Sequence, residues 1–186
     1  MKINKVFMIV QLSLMYISLV FCFLLSGIVA SDIEVTQLAG NIFLGCAIGG
    51  VVLASLFSVA IMIISFISIF KKEAVDQTKF VMIYKIAAIP YFIGNFVFCG
   101  LIVAGMLNPF LMFAIPVAVA IFMFFTYVNM LGSSIVDVAY VINSFKNKTL
   151  KPRPLLIIGI ILEFFFCVDF LGAIFIYSEK SKQINN

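Results

Sequence analysis

The chain has no histidine. A zinc or haem site built on imidazole is therefore excluded, and Ser133 and Ser134 lack the base that usually activates a serine nucleophile. Cysteine is scarce. Cys22, Cys46, Cys99 and Cys167 all sit inside apolar runs without CxxC spacing, so they read as small packing residues and not as a disulfide framework. Charge is scarcer still: 11% of the 186 residues are charged while 65% are hydrophobic, and the mean hydropathy is +1.26. A soluble domain carries roughly 25% charged residues, so this chain cannot clothe itself in a solvated surface. HExxH, phosphate-cradling glycine loops and serine elbows are also missing. No enzymatic activity and no cofactor are expected.

Long apolar runs fill the chain instead. They predict an all-α integral membrane protein, a single domain over residues 1–186, built as a bundle of five transmembrane helices at about 7–30, 42–70, 81–106, 109–131 and 155–177. An amphipathic cytoplasmic helix is expected at about 133–147. The first run follows the basic head MKINK like a signal peptide, but its apolar part is about twice the usual length, which predicts an uncleaved helix. Ser18, Cys22 and Ser26 place small side chains on one of its faces. The second run carries Gly45 and Gly49 at GxxxG spacing, with the ladder Cys46, Gly50, Ala54, Ser58 beside them. Small residues at every fourth position let two helix backbones approach closely, inside one chain or across a homodimer.

In the third run Lys85, Ala88, Phe92, Asn95 and Cys99 recur at alternating steps of three and four and share a seam that should look inward. Pro90 should bend this helix and leave the Ile86 carbonyl for a neighbour or a water. Asn108-Pro109 reads as a helix cap and start, forcing a tight antiparallel connection, and Pro116 follows in the fourth run. Beyond Gly132, Ile135, Val138, Ile142 and Phe145 fall on one helix side, and Asp137, Tyr140, Ser144 and Lys148 largely elsewhere. This segment either lies in the membrane interface or extends helix four.

The net charge of +4 comes from basic residues at the ends of apolar spans, which read as topology signals and not as a nucleic-acid surface. The amino terminus and the segments 71–80 and 132–154 hold nine Lys and Arg, against Lys180 and Lys182 in the tail. That bias predicts a cytoplasmic amino terminus and, after five crossings, a tail outside the cell membrane. The lipid bilayer is the expected partner.

The last run, Leu155 to Tyr177, carries two acids, Glu163 and Asp169. Insertion scales put an Asp at a membrane helix centre at roughly 2.5 to 3.5 kcal/mol, so each acid needs a partner, a hydrated cavity or a proton. On one continuous helix they stand about 9 Å apart along the axis and about 120° apart around it, too far to pair with each other. Depth matches Asp169 to Asn95 and Glu163 to Lys85, although Lys85 is close enough to the interface to snorkel. Lys85, Asn95, Glu163 and Asp169 thus form a candidate polar track for protons or a small cation. The plainer reading is that each acid is neutralised and only fixes helix register. The 22 phenylalanines read as lipid-facing and core filling.

Several short strings carry a resemblance: Pro90-Tyr91-Phe92 with Asn95-Phe96, Asn108-Pro109-Phe110, Pro116, Thr126-Tyr127 with Ser133-Ser134, and the ending Phe166-Cys167-Val168-Asp169. On these the second half of the chain resembles uncharacterised small multi-pass membrane proteins from low-GC Gram-positive bacteria. The resemblance implies a bacterial cytoplasmic membrane protein and carries no activity. The leading functional expectation is an accessory or interaction subunit of a membrane complex, with a membrane-protein partner or a second copy. The alternative is a proton- or ion-coupled small transporter or channel using Glu163 and Asp169.

Overall fold

The computed structural model describes residues 2–30, 37–71, 75–104, 113–166 and 168–184. Among them the chain forms six helices: α1 (Lys2–Ala30), α2 (Gln37–Lys71), α3 (Thr78–Ala104), α4 (Ala114–Lys146), α5 (Pro154–Leu162) and α6 (Asp169–Ile184). Helices α1 to α4 are long and apolar enough to cross a membrane, which takes about 20 residues. The expected Asn108-Pro109 connection lies outside the described residues.

α1 runs along α2, α2 along α4, and α3 closes the bundle against α1 and α4. Small residues permit these contacts. A Cβ on Gly50 would stand 3.3 Å from the Leu14 carbonyl and 2.9 Å from Ser18 Cβ, and one on Gly132 would meet Ser58. Ala54 is fully buried beside Met15 and Tyr91. The inner part of the α2 stripe, Gly50, Ala54 and Ser58, is therefore consumed within the chain, while Gly45 and Gly49 face open space. On α3 the expected seam is found, with Lys85, Ala88, Asn95 and Cys99 buried and Phe92 half-buried. α3 runs through Pro90. The carbonyl that finds a neighbour is one residue past the expected one, Ala87, which accepts from the Tyr16 hydroxyl at 2.6 Å. Pro116 lies in the first turn of α4, where a missing N–H has no helical partner to lose.

Two expectations are corrected. Residues 133–147 are not a separate helix in the interface: of the two readings the extension of helix four holds, because α4 runs unbroken to Lys146. The segment is amphipathic as expected but faces the opposite way: Asp137, Tyr140 and Ser144 are buried while Ile135, Val138, Ile142 and Phe145 are partly exposed. A polar group turned inward finds charged neighbours, and an apolar one turned outward suits lipid.

The second correction concerns 155–177, which is not one helix. α5 stops at Leu162, the described residues 163–166 and 168 form turns, and α6 returns antiparallel to α5. The pairing reads as a ladder. Lys151 and Gln183 exchange two hydrogen bonds, Arg153 meets Glu179, Leu156 and Ile176 share a core cluster, and Gly159 touches Gly172. Added Cβ atoms would collide there: one on Gly172 would lie 2.7 Å from the Gly159 carbonyl, so the absence of side chains is what lets the arms cross. Pro154 opens α5 at a position that needs no N–H donor. In the turn the backbone tightens to i→i+3 bonds, Phe164 to Ile161 and Phe165 to Leu162. The Tyr127 hydroxyl satisfies the freed Phe164 carbonyl at 3.2 Å.

Because α6 returns, its end lies beside the start of α5 and of α3. Lys180 pairs with Asp76 and donates to Thr78 Oγ1 at 3.2 Å. The tail was expected at the end of the bundle opposite the other basic residues, and instead it joins them. Lys5 sits over the Phe80 ring at that same end, and Lys146 reaches the Ile69 carbonyl. Partial burial pushes the Asp76 carboxyl up, but hydrogen bonds and charge from Lys180, helped by Thr78, outweigh it and hold Asp76 below its usual value. Hydrogen bonds from Lys182 and Arg153 do the same for Glu179.

Candidate functional site

The turn between α5 and α6 brings two acids to one lysine. Lys85 lies on the buried seam of α3, seven residues from the helix start at Thr78. Its ammonium pairs with Glu163 Oε2, lies 3.3 Å from Asp169 Oδ2 and donates to Ser134 Oγ at 2.9 Å. Lys85 is 2% exposed, so it does not snorkel, and Glu163 and Asp169 are as deeply buried. The helix break explains the grouping. Six residues along a straight helix hold two side chains apart, whereas a reversal between them lets both carboxylates converge on one cation. Asp169 also occupies the first turn of α6, where the positive end of the helix dipole favours an anion.

Asn95 does not meet Asp169 as expected. Its Nδ2 donates to Thr126 Oγ1 at 2.6 Å, and Thr126 donates in turn to the Phe122 carbonyl at 2.8 Å. Since the Thr126 hydroxyl spends its proton on Phe122, it can only accept from Asn95, and this fixes the amide orientation. Asn95 Oδ1 is left without a hydrogen-bond partner among the described residues. Asn95 belongs to the same site all the same: Lys85, Asn95 and Asp169 line a half-open cavity of about 350 Å³. Three of the four expected track residues form one cluster, and the fourth stands on the wall of the adjoining cavity.

The expectations missed Ser134 and Asp137. They lie three residues apart on α4 and so on one helix face. Asp137 is fully buried, and neither carboxylate oxygen has a hydrogen-bond partner among the described residues. Its charged neighbours are Glu163 and Lys85 on one side and Asp76 and Lys180 on the other. A second missed network ties α1, α4 and α2 together: Gln11 Nε2 donates to the Asn129 carbonyl at 3.0 Å, and Asn129 Nδ2 to Ser55 Oγ at 3.0 Å. The spacing Asn129, Ser133, Asp137 was the available signal for an inward polar face on α4. Among the described residues no group of three His, Cys, Asp or Glu is placed to hold a metal ion.

Among the described residues, the inside of the bundle thus brings three carboxyl groups, Asp137, Glu163 and Asp169, together with one ammonium, Lys85, while the buried Glu179 and Lys180 lie at the charged end. One buried cation offsets one buried carboxylate, and further ionised acids in such a place are costly. The arrangement is suited to holding protons, or a second cation, that can be given up.

A family model described as a family of unknown function, DUF6652, matches residues 4–183. The chain belongs to DUF6652. The matched range takes in every residue of the site described above, from Gln11 on α1 to Lys180 on α6. No curated protein and no solved structure matches this DUF6652 chain.

Proposed function

We propose that the protein is a multi-pass protein of a bacterial cytoplasmic membrane that acts as a small proton-coupled transporter, without enzymatic activity. Glu163 and Asp169 are its proton-binding carboxylates, and Lys85 is their shared counter-ion. The observation that carries this reading is the excess of acid over base inside the bundle, where among the described residues Asp137, Glu163 and Asp169 are buried with Lys85 alone, beside a cavity. A purely structural buried pair needs one acid and one base. The broken α5–α6 element supports the same reading. Non-helical backbone at membrane depth is tolerated where it is buried in protein or lines a cavity, and discontinuous helices of this kind form binding sites in transporters. The bacterial placement rests on the resemblance to small membrane proteins of low-GC Gram-positive bacteria.

Charge supports an orientation. Of 12 Lys and Arg residues, Lys85 is buried in the bundle, and the described others, now including Lys180 and Lys182, gather at one end. That end faces the cytoplasm. α5 spans 9 residues, about 13 Å at 1.5 Å per residue, so the hairpin enters from the cytoplasm, turns near mid-membrane and goes back. The bundle then has four crossings and one re-entrant hairpin, with both termini inside.

The test is proton flux in proteoliposomes under an imposed membrane potential. Wild-type protein moves protons, and Glu163→Gln and Asp169→Asn reduce the rate at least about tenfold, the size of effect expected on removing a proton-transfer group. No flux from wild type, or equal flux from both variants, removes the proposal. A second reading, an accessory subunit, is favoured by the open face at Gly45 and Gly49. Crosslinking in cells from Gly45→Cys that recovers a stable partner or a second copy would support it.

A further inference from the structure

The cavity beside the cluster has an asymmetry of donors and acceptors. At its buried end Lys85 has three N–H donors, and the structure spends all of them: on Glu163, on Ser134 and on Asp169, through the carboxylate at 3.3 Å and the carbonyl at 3.5 Å. The acceptors on the same wall are not spent. Among the described residues Asn95 Oδ1 has no partner although Asn95 is 2% exposed, and the Asp169 carboxylate has only the shared Lys85 contact. An anion entering here would find the Lys85 donors spent and a surplus of carboxyl groups. A cation, or a strong hydrogen-bond donor, would find both an acceptor and a compensating charge. The positive end of α6 does not alter this balance, because Asp169 itself already occupies it.

The rest of the cavity is aromatic. Phe92, Phe96, Phe166 and Phe170 line it, with the Phe92 and Phe166 rings edge to face at 5.8 Å. These rings were expected to be plain lipid-facing and core filling. Phe96 is 70% exposed at the rim, so the cavity opens sideways onto the apolar flank of the bundle. Aromatic faces attract organic cations whose charge is spread or shielded, most strongly where water is excluded. Entry from the flank selects molecules that dissolve in the bilayer.

We infer that this cavity binds a lipophilic organic cation, with Asp169 as the counter-charge, Asn95 Oδ1 as an acceptor and the phenylalanine rings as the body of the site. The inference rests on the proposed transport function and names its substrate class. A pair of probes with the same shape and opposite charge isolates the claim: tetraphenylphosphonium and tetraphenylborate. In equilibrium dialysis with the full-length protein in mild detergent, tetraphenylphosphonium binds saturably and tetraphenylborate at least about tenfold more weakly, the discrimination that like-charge juxtaposition produces. Asp169→Asn removes the counter-charge and weakens the cation by a similar factor.

Because Asp169 also holds the hairpin, the decisive variant is Phe96→Leu, which keeps an apolar side chain at an exposed position and removes only the ring. It weakens the cation by about threefold to tenfold, the range expected for a partly desolvated cation–π contact, and leaves tetraphenylborate unchanged. Unaltered cation affinity in Phe96→Leu, or binding of tetraphenylborate as tight as that of the cation, overturns the inference. Proton flux that persists in proteoliposomes while the cation fails to bind overturns this inference alone. Loss of both overturns the transport function with it.

Discussion

Lys85 is where the charge of the molecule is decided. Among the described residues it is the one base buried with Asp137, Glu163 and Asp169 inside the bundle, away from the buried Lys180 and Glu179 at the charged end, and removing one partner of a buried ion pair leaves an uncompensated charge. Lys85→Met should therefore lower unfolding free energy by about 3 to 5 kcal/mol, read as a drop in Tm in mild detergent. Adding Glu163→Gln to that variant should restore part of the loss, since the second change removes the stranded acid. If the double variant is no more stable than Lys85→Met alone, the two residues do not share a charge. Glu163 and Asp169 were legible in the sequence because an acid inside a long apolar run stands out. Lys85 was legible as an inward residue through its seam with Ala88 and Asn95. Asp137 was not, because it falls in a polar-leaning segment, where an acid looks solvated until the tertiary structure shows which way the face turns.

At the scale of elements, the hairpin of α5 and α6 is what periodicity could not reveal. Helical spacing reports which residues share a face, but nothing in 155–177 marks a stop: no proline falls inside it, and Gly159 and Gly172 lie outside the turn itself. The break is set from elsewhere, by a lysine on α3 that takes both acids and a tyrosine on α4 that satisfies the turn. Three substitutions test the hairpin. Gly172→Ala sets a methyl group 2.7 Å from the Gly159 carbonyl, a backbone atom that cannot rotate away. It should cost about 1 to 3 kcal/mol as overpacking does, whereas Gly45→Ala, facing open space, should cost nothing measurable. Tyr127→Phe removes the donor to Phe164 and should cost about 1 kcal/mol, the usual net worth of one such bond. Equal Tm values for Gly172→Ala and Gly45→Ala would mean that the two arms do not cross at that glycine.

At the scale of the whole molecule, the described basic residues other than Lys85 gather at one end, and the tail takes part through Lys180 and Asp76. The folded Asp76 carboxyl is held below its ordinary value, so the contact stabilises the fold fully at pH values above the unfolded Asp pKa of about 3.9. It fades as pH falls below that through the lower folded value. Acidification from pH ~6 to ~3 should therefore lower the Tm of wild type more than that of Asp76→Asn. Long apolar helices were legible from composition alone, and four of the described helices are long and apolar enough to cross a membrane. The reversal between α5 and α6 was not, because a hairpin and a span of the same length have the same hydropathy. The direct measurement is the side of the tail. With the native cysteines replaced by alanine, Lys182→Cys should react with a membrane-impermeant maleimide in inverted vesicles and stay unreactive in intact cells, like Lys5→Cys at the amino terminus. Labelling of Lys182→Cys in intact cells would mean that the last segment crosses the membrane as one helix and that Glu163 and Asp169 do not meet at Lys85.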